Sequence, residues 1–296
     1  MSAGGYELVQ LKNGTWSVRS VAEGETFHPV IGPVAEAEAL YVRQLRLADR
    51  FAAAPGEFVV WDVGLGAAAN VLTALRALAG GAGTLRVVSF DHTLEPLRFA
   101  LDGAAQLGFV EGFEAPITEL LAQGSVRFEL GAVKVHWETH LGDFPTLLAS
   151  AAATAWPAPH AILFDAYSPA RNAAMWTRPL FARLRELAGE ACTLATYSRA
   201  TILRTTLLLA GWFVGAGHAT GEKEETTIAS TRLDLLAEPL PAAWLERVRR
   251  STSAEPLEQA TYRQAPLSEP NWQRLNRHPQ FVPPPDPPRR RPPSAD

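Results

Sequence analysis

Four aspartates fall at or just beyond the ends of apolar runs, and each is followed by residues that turn the chain. Asp62 closes "FVVWD" and precedes Gly64 and Gly66 in "DVGLGAAAN"; Asp91 closes "VVSFD"; Asp143 follows "VKVHWETHLG"; Asp165 closes "HAILFD" and opens "DAYSPARNAAMW". A Gly-x-Gly turn between a strand and a helix lets the backbone come close to a ligand, with the helix N-terminal amides nearby. A carboxylate ending the next strand can accept both ribose hydroxyls of a nucleoside. One after the third strand can accept a hydrogen bond from an adenine amino group, and Asp62 can meet an ammonium. Ala67, Ala68 and Ala69 follow Gly66, so the third glycine of a dinucleotide fingerprint is missing. The set suits S-adenosylmethionine, which has a zwitterionic amino-acid end and no phosphate. Each acid also has a structural reading, since Asp91 and Asp143 stand where they would cap the helices that follow.

Asp165 carries the chemistry. Ligands of open α/β sheets bind outside the carboxyl ends of the strands. A methyl acceptor must approach in line with the sulfonium, so proximity matters most. An amine acceptor must also lose a proton, because an ammonium has no lone pair, and Asp165 can position the amine and take or relay that proton. Tyr167, Ser168 and Pro169 are expected to shape the wall, with Asn172 and Trp176 fixing the loop. Ser168-Pro169 and Asn172 read equally as turn chemistry, and Trp176 as a core anchor.

These acids need a sheet to hold them. From residue 58 apolar runs alternate with helical stretches, the pattern of a parallel sheet covered on both faces. Strands are expected at 58–63, 85–90, 133–138, 160–165 and 192–197, with helices near 68–79, 94–107, 143–153, 176–188 and 199–210. "WFVGAG" and "TTIASTRL" add two more strands as a possible antiparallel pair, which makes a seven-stranded, doubly wound, Rossmann-like methyltransferase sheet. "FEL" at 128–130 and "VKVHWE", joined by Gly131-Ala132, can alternatively form a hairpin. Ahead of the sheet, residues 1–54 are expected to hold a β-hairpin around Asn13-Gly14 and a lead-in helix over 34–53, with Val34, Leu40, Tyr41, Leu45, Leu47 and Phe51 at helical spacing. The methyltransferase domain would span 55–236. Residues 237–296 hold 13 of the 23 prolines and read as an extension whose last stretch, "FVPPPDPPRRRPPSAD", has almost nothing to bury. Arg289, Arg290 and Arg291 lie in it.

Composition narrows the function. The chain has 296 residues, 47% of them hydrophobic, enough for one large core. A net charge of −4 argues against a broadly basic nucleic-acid binder, although a local basic patch stays open. The three lysines, Lys12, Lys134 and Lys223, leave arginine as the main cation. Cys192 is the single cysteine and lies in an apolar run, so neither a disulfide nor a thiol nucleophile is expected. His136 and His140 share one face of a strand without further obvious ligands, so no metal site is expected. No apolar run reaches the roughly 20 residues of a membrane span, and no signal pattern opens the chain. A cytoplasmic protein is expected; its oligomeric state is left open.

"VGLGAAAN", "DAYSPARNAAMW", "LATYSRATILRTTLLLAGW" and "GEKEETTIAS" resemble the tRNA 5-aminomethyl-2-thiouridine methyltransferases, called MnmD, equivalent to the methyltransferase half of the bifunctional MnmC enzymes. The likeness runs over about residues 6–235, with the motifs in the family's order and spacing. The N-terminal "LKNGTWSVRSVAEGETFHPVIGP" is similar to the stand-alone members, with Glu25, Phe27 and His28 beginning the lead-in. The resemblance implies S-adenosylmethionine as cofactor and the tRNA wobble uridine as acceptor, giving its methylaminomethyl form. It implies that Gly64, Gly66 and Asn70 form the cofactor loop, that Asp91 meets the ribose, and that Asp165 and Tyr167 form the catalytic pocket. Lys223 and Glu225 keep family positions. Asp62 stands where relatives carry glutamate, Ala68 where they carry a third glycine, Ala173 where they carry proline, and Glu224 where arginine is usual. With no flavin oxidase module after the methyltransferase part, the acceptor is expected as the free aminomethyl form. Two other readings stay open: methyl or aminopropyl transfer to a small-molecule amine, and a catalytically silent adenosine-binding scaffold.

Overall fold

The computed structural model describes residues 2, 3, 5–221 and 224–282. At the N-terminus β1 (Ser2–Ala3), β2 (Tyr6–Gln10), β3 (Trp16–Ser20) and β4 (Glu25–Thr26) form an antiparallel sheet in that order. The expected hairpin is its β2–β3 pair, where Gln10 faces Trp16 and the loop at 11–15 places Gly14 at φ +83°. Asn13 Oδ1 accepts the Thr15 amide, which closes the turn.

The lead-in helix is interrupted. α1 (Pro33–Ala37) runs into a π-helical turn at Glu38–Arg43, and α2 (Leu47–Ala52) begins after Arg46 at φ +51°. Leu40, Tyr41, Leu45, Leu47 and Phe51 are buried in the core as their spacing predicts, whereas Val34 is exposed.

Among the described residues the main sheet has eight strands in the order β11-β12-β10-β9-β5-β6-β8-β7. These are β5 (Phe58–Val63), β6 (Ala82–Asp91), β7 (Ser125–Leu130), β8 (Ala132–Leu141), β9 (Ala161–Phe164), β10 (Thr193–Thr196), β11 (Phe213–Gly217) and β12 (Thr226–Ser230). β10, β9, β5, β6 and β8 are parallel neighbours, while β12 and β7 run antiparallel to theirs. The eighth strand is β7, which pairs with β8 through the Gly131 hairpin, the alternative the sequence had left open.

Helices cover both faces, which is why β5, β9 and β10 are buried residue after residue. Alternation along β5 divides the core. Phe58 and Val60 join the cluster containing α1 and α3 (Ala69–Leu78), whereas Val59, Trp61 and Val63 face α7 (Phe144–Ala149), α8 (Arg178–Leu187) and α9 (Thr201–Leu209). Between β6 and β7 lie α4 (Glu95–Asp102), α5 (Ala104–Leu107) and α6 (Glu114–Gln123). The sequence pattern did not reveal α6, because its buried stripe reduces to Ile117 and Leu120.

Residues 237–282 fold onto the domain. α10 (Trp244–Arg250) and α11 (Glu269–Asn276) send Trp244, Val248 and Leu275 into the second core cluster. Ala216 donates its amide to Glu238 O and Leu240 donates to Val214 O, so the extension lies along the outer edge of β11. Gln280 completes the cover, its side chain accepting the Val214 amide and donating to the Val214 carbonyl. The proline-rich stretch 283–296, with Arg289, Arg290 and Arg291, lies outside the described residues.

Candidate active site

From β5 the chain passes to β6 and β8 on one side and then returns to β9 on the other, so the sheet changes direction between β5 and β9. Ligands of such sheets sit outside the carboxyl ends at this point. A cavity of about 660 Å³ opens there, a volume typical of small-molecule pockets. Its floor is the glycine turn and its roof is the N-terminal sheet, through Tyr6, Glu23, Glu25 and Phe27.

The glycines are needed for close approach. Gly64 has φ +95°, and a Cβ there would stand 2.6 Å from the Asp165 carbonyl oxygen. The two strand ends therefore touch at a place where no side chain fits. Gly66 has φ +51° and donates its amide to Asp91 Oδ2 at 2.9 Å, which ties the turn to the end of β6. Ala68 adopts φ +63° at the N-terminus of α3 and is fully buried in the core. Its neighbours Ala67 and Ala69 line the cavity and Ala68 does not, so its methyl group leaves the ligand space free.

Nine residues expected at the site line this cavity: Gly64, Gly66, Asn70, Asp91, Asp143, Asp165, Tyr167, Ser168 and Asn172. Asn70 donates to Asp165 Oδ2 at 2.8 Å. Asp143 is both wall and helix cap, since it accepts the Thr146 amide at the start of α7. Asp91 does not cap α4, whose N-cap is Leu94; its Oδ1 accepts the His92 amide.

Three expected residues stand elsewhere. Strand alternation turns Asp62 to the α1 and α3 side of the sheet beneath the glycine turn, where it is fully buried and accepts the Ser89 hydroxyl at 2.9 Å. Trp176 is a core anchor that packs edge-on against Phe164, with ring centroids 5.3 Å apart, and donates Nε1–H to the Tyr167 carbonyl. Pro169 turns the loop without reaching the cavity wall. Lys223 lies outside the described residues. The late "GEKEE" segment is structural where it is described. Glu225 pairs with the buried Arg204 at 3.2 Å, and Glu224 with the half-exposed Arg199 at 3.6 Å.

Other functional-looking residues come from the lead-in. His28 and Glu36 line the base of the cavity beside Asp165, and Tyr41 lies next to them. The motif likeness placed His28 in the lead-in without a role, and the signal for Glu36 was an acid within the apolar spacing of the helix. Arg171 sits 3.8 Å from Glu25, across the gap between the Asp165 loop and the N-terminal sheet. Phe27 and Tyr167 close the same gap, with ring centroids 6.3 Å apart.

Burial governs the titration here. Asp62 is pushed up to about 8, chiefly by desolvation, with the Ser89 hydroxyl opposing. Asp165 is raised by desolvation, while the nearby His28 charge holds it down and Glu36 raises it further. Burial also raises Tyr167, so its phenol stays neutral. Glu23, Glu25, Glu36, Asp91, Asp143 and Asp165 outnumber His28, His92 and Arg171 around the cavity, which makes it an anionic chamber suited to a cationic ligand.

That donor set fits S-adenosylmethionine, a cation without phosphates. The turn around Gly64 leaves the ligand close to the backbone, and Asp91 keeps acceptor capacity beyond the bonds it already makes.

Comparison with known proteins agrees. Residues 111–232 match the family described as S-adenosyl-L-methionine-dependent methyltransferase. Over that segment, and in the fold around it, the chain is similar to S-adenosylmethionine-dependent methyltransferases. It is similar to the tRNA 5-methylaminomethyl-2-thiouridine biosynthesis bifunctional protein MnmC of Cupriavidus necator, at 31% identity over 237 residues, which is 75% of this chain and 35% of that protein. MnmC of Aeromonas hydrophila is 27% identical over 76% of this chain and 35% of its own length. The chain thus spans about a third of the curated relatives it matches, and they bear out the MnmD-like resemblance read from the motifs. Among solved structures, MNMC2 from Aquifex aeolicus shares the fold, with a TM-score of 0.67 at 22% identity over 93% of this chain and 85% of that one.

Proposed function

We propose that the chain N-methylates the 5-aminomethyl group of the wobble uridine of tRNA, giving the 5-methylaminomethyl form, and does so in the cytoplasm. The observation that carries this reading is the anionic cavity at the β5–β9 divergence with Asp165 at its base. The names of the MnmC relatives support the tRNA acceptor.

S-adenosylmethionine, when bound, supplies a methyl group on positively charged sulfur. Gly64, Gly66 and Asn70 would hold its amino-acid end, Asp91 its ribose and Asp143 its adenine. Asp165 accepts one proton from the substrate ammonium and so frees the nitrogen lone pair. Its raised pKa brings its proton affinity nearer to the operating pH than that of an ordinary aspartate. Asn70 fixes the carboxylate, and Tyr167 with Phe27 offers an aromatic wall to a base. Ser168 and Asn172 shape the entry.

A small-molecule amine is the second reading, favoured by the net charge of −4 and by Glu224, which pairs with Arg199. Nucleoside mass spectrometry of tRNA from a strain lacking the gene separates the two: loss of the methylaminomethyl nucleoside supports tRNA, and an unchanged profile refutes it. Asp165→Ala should retain S-adenosylmethionine binding by calorimetry while turnover falls at least 100-fold, the usual worth of a general base. Undiminished turnover would remove Asp165 from the role.

A further inference from the structure

His28 stands between two acids at the closed end of the cavity. Its Nε2 is 3.8 Å from Asp165 Oδ2 and its Nδ1 is 3.8 Å from Glu36 Oε1, with only 9% of its side chain exposed. Both separations are ion-pair distances rather than hydrogen bonds. The backbone places the ring there against its own preference. His28 has φ +49°, a conformation uncommon outside glycine, in a chain with three such non-glycine residues among those described. The residue before it is anchored on both sides. The Phe27 amide donates to Val18 O, and the Ser17 hydroxyl donates to Phe27 O.

We infer that His28 is a positioning residue whose imidazolium, held by Glu36, keeps Asp165 ionised and ready to take the proton of the substrate amine. The inference rests on the amine-methylation reading above. The groups facing this cluster are Glu36 from α1, Tyr41 from the π-helical turn, Asp62 from β5, Asn70 from α3, Asp165 from the end of β9 and Tyr197 after β10. Glu36 and Asp165 are acids close together in a buried space, so without a cation between them one would take up a proton. A protonated Asp165 cannot accept another. Burial works against the imidazolium, yet Glu36 and Asp165 outweigh it and raise His28. Overall, the substrate ammonium gives one proton to Asp165. The N–C bond then forms as the C–S bond breaks, sulfur keeps the electron pair, and the product leaves as a secondary ammonium.

The test is His28→Asn, chosen because asparagine tolerates the left-handed backbone. The pH profile of kcat/KM for tRNA carrying the 5-aminomethyl group should shift its acidic limb upward by about one unit or more. At pH values below the wild-type limb that corresponds to roughly tenfold loss, recovered at higher pH. A purely structural role would lower the rate equally at every pH, and that result overturns the proposal. A second measurement does not depend on the acceptor. NMR titration of the His28 ring in the ligand-free protein should give a lower pKa in Asp165→Asn than in the wild type, and equal values overturn the coupling. If the wild type methylates no tRNA while this coupling is present, the acceptor assignment fails and the His28–Asp165 pair stands.

Discussion

Replacing Asp62 by asparagine should flatten the pH dependence of stability. Asp62 is fully buried, faces Ser89 and titrates at about 8, against about 4 in an unfolded chain. Its folded pKa is raised, so between about pH 4 and 8 the folded state holds a proton that the unfolded state has lost. Its stabilising contribution is therefore complete below pH 4 and declines by about 1.4 kcal/mol per unit until pH 8, where it levels off. From pH 6 to pH 8 the wild type should lose about 2 kcal/mol through this one group. Asparagine keeps an oxygen to accept the Ser89 hydroxyl and does not titrate. Asp165 and His28, both raised, tilt the curve in the same direction in both proteins, so the difference between the two isolates Asp62. Urea unfolding of the ligand-free proteins at pH 6, 7 and 8 measures it. Parallel stability curves for wild type and Asp62→Asn would refute the reasoning.

Three further outcomes follow from the packing. Gly64→Ala should destabilise by about 3 kcal/mol or more and abolish S-adenosylmethionine binding by calorimetry, because the new Cβ meets the Asp165 carbonyl at 2.6 Å with φ at +95°; a stable variant that binds normally would contradict it. Glu225→Gln should cost about 2 kcal/mol in urea unfolding, since Arg204 is buried and keeps only its bonds to Thr226 O and Thr227 Oγ1. Cys192, fully buried with its thiol pushed up to about 12, should resist alkylation at pH 8 in the native protein and react promptly in urea.

The sheet was legible because strands covered on both faces are continuous apolar runs, and the acids closing those runs marked the edge where the cavity opens. Asp165, Asp91 and Asp143 all reach the cavity for that reason. Asp62 does not, because the two-residue period of a strand decides a side chain's face, and its nearness to a glycine turn says nothing about it. Trp176, read as fixing the loop or as a core anchor, is a core anchor whose indole N–H is satisfied by the Tyr167 carbonyl. The cluster of His28, Glu36 and Tyr41 escaped the reading because it meets Asp165 only after the chain has folded back from a separate sheet. α6 and the β7 hairpin were blurred by thin apolar stripes.

The cover that residues 238–240 and Gln280 lay along β11 bears on how the chain should be handled. Shortened to end at β12, it would bare a flat row of amides and carbonyls, and such rows recruit other chains into intermolecular ribbons. The segment from 238 to Gln280 is thus partly a hem sewn over that border, and a minimal version of the domain has to include it.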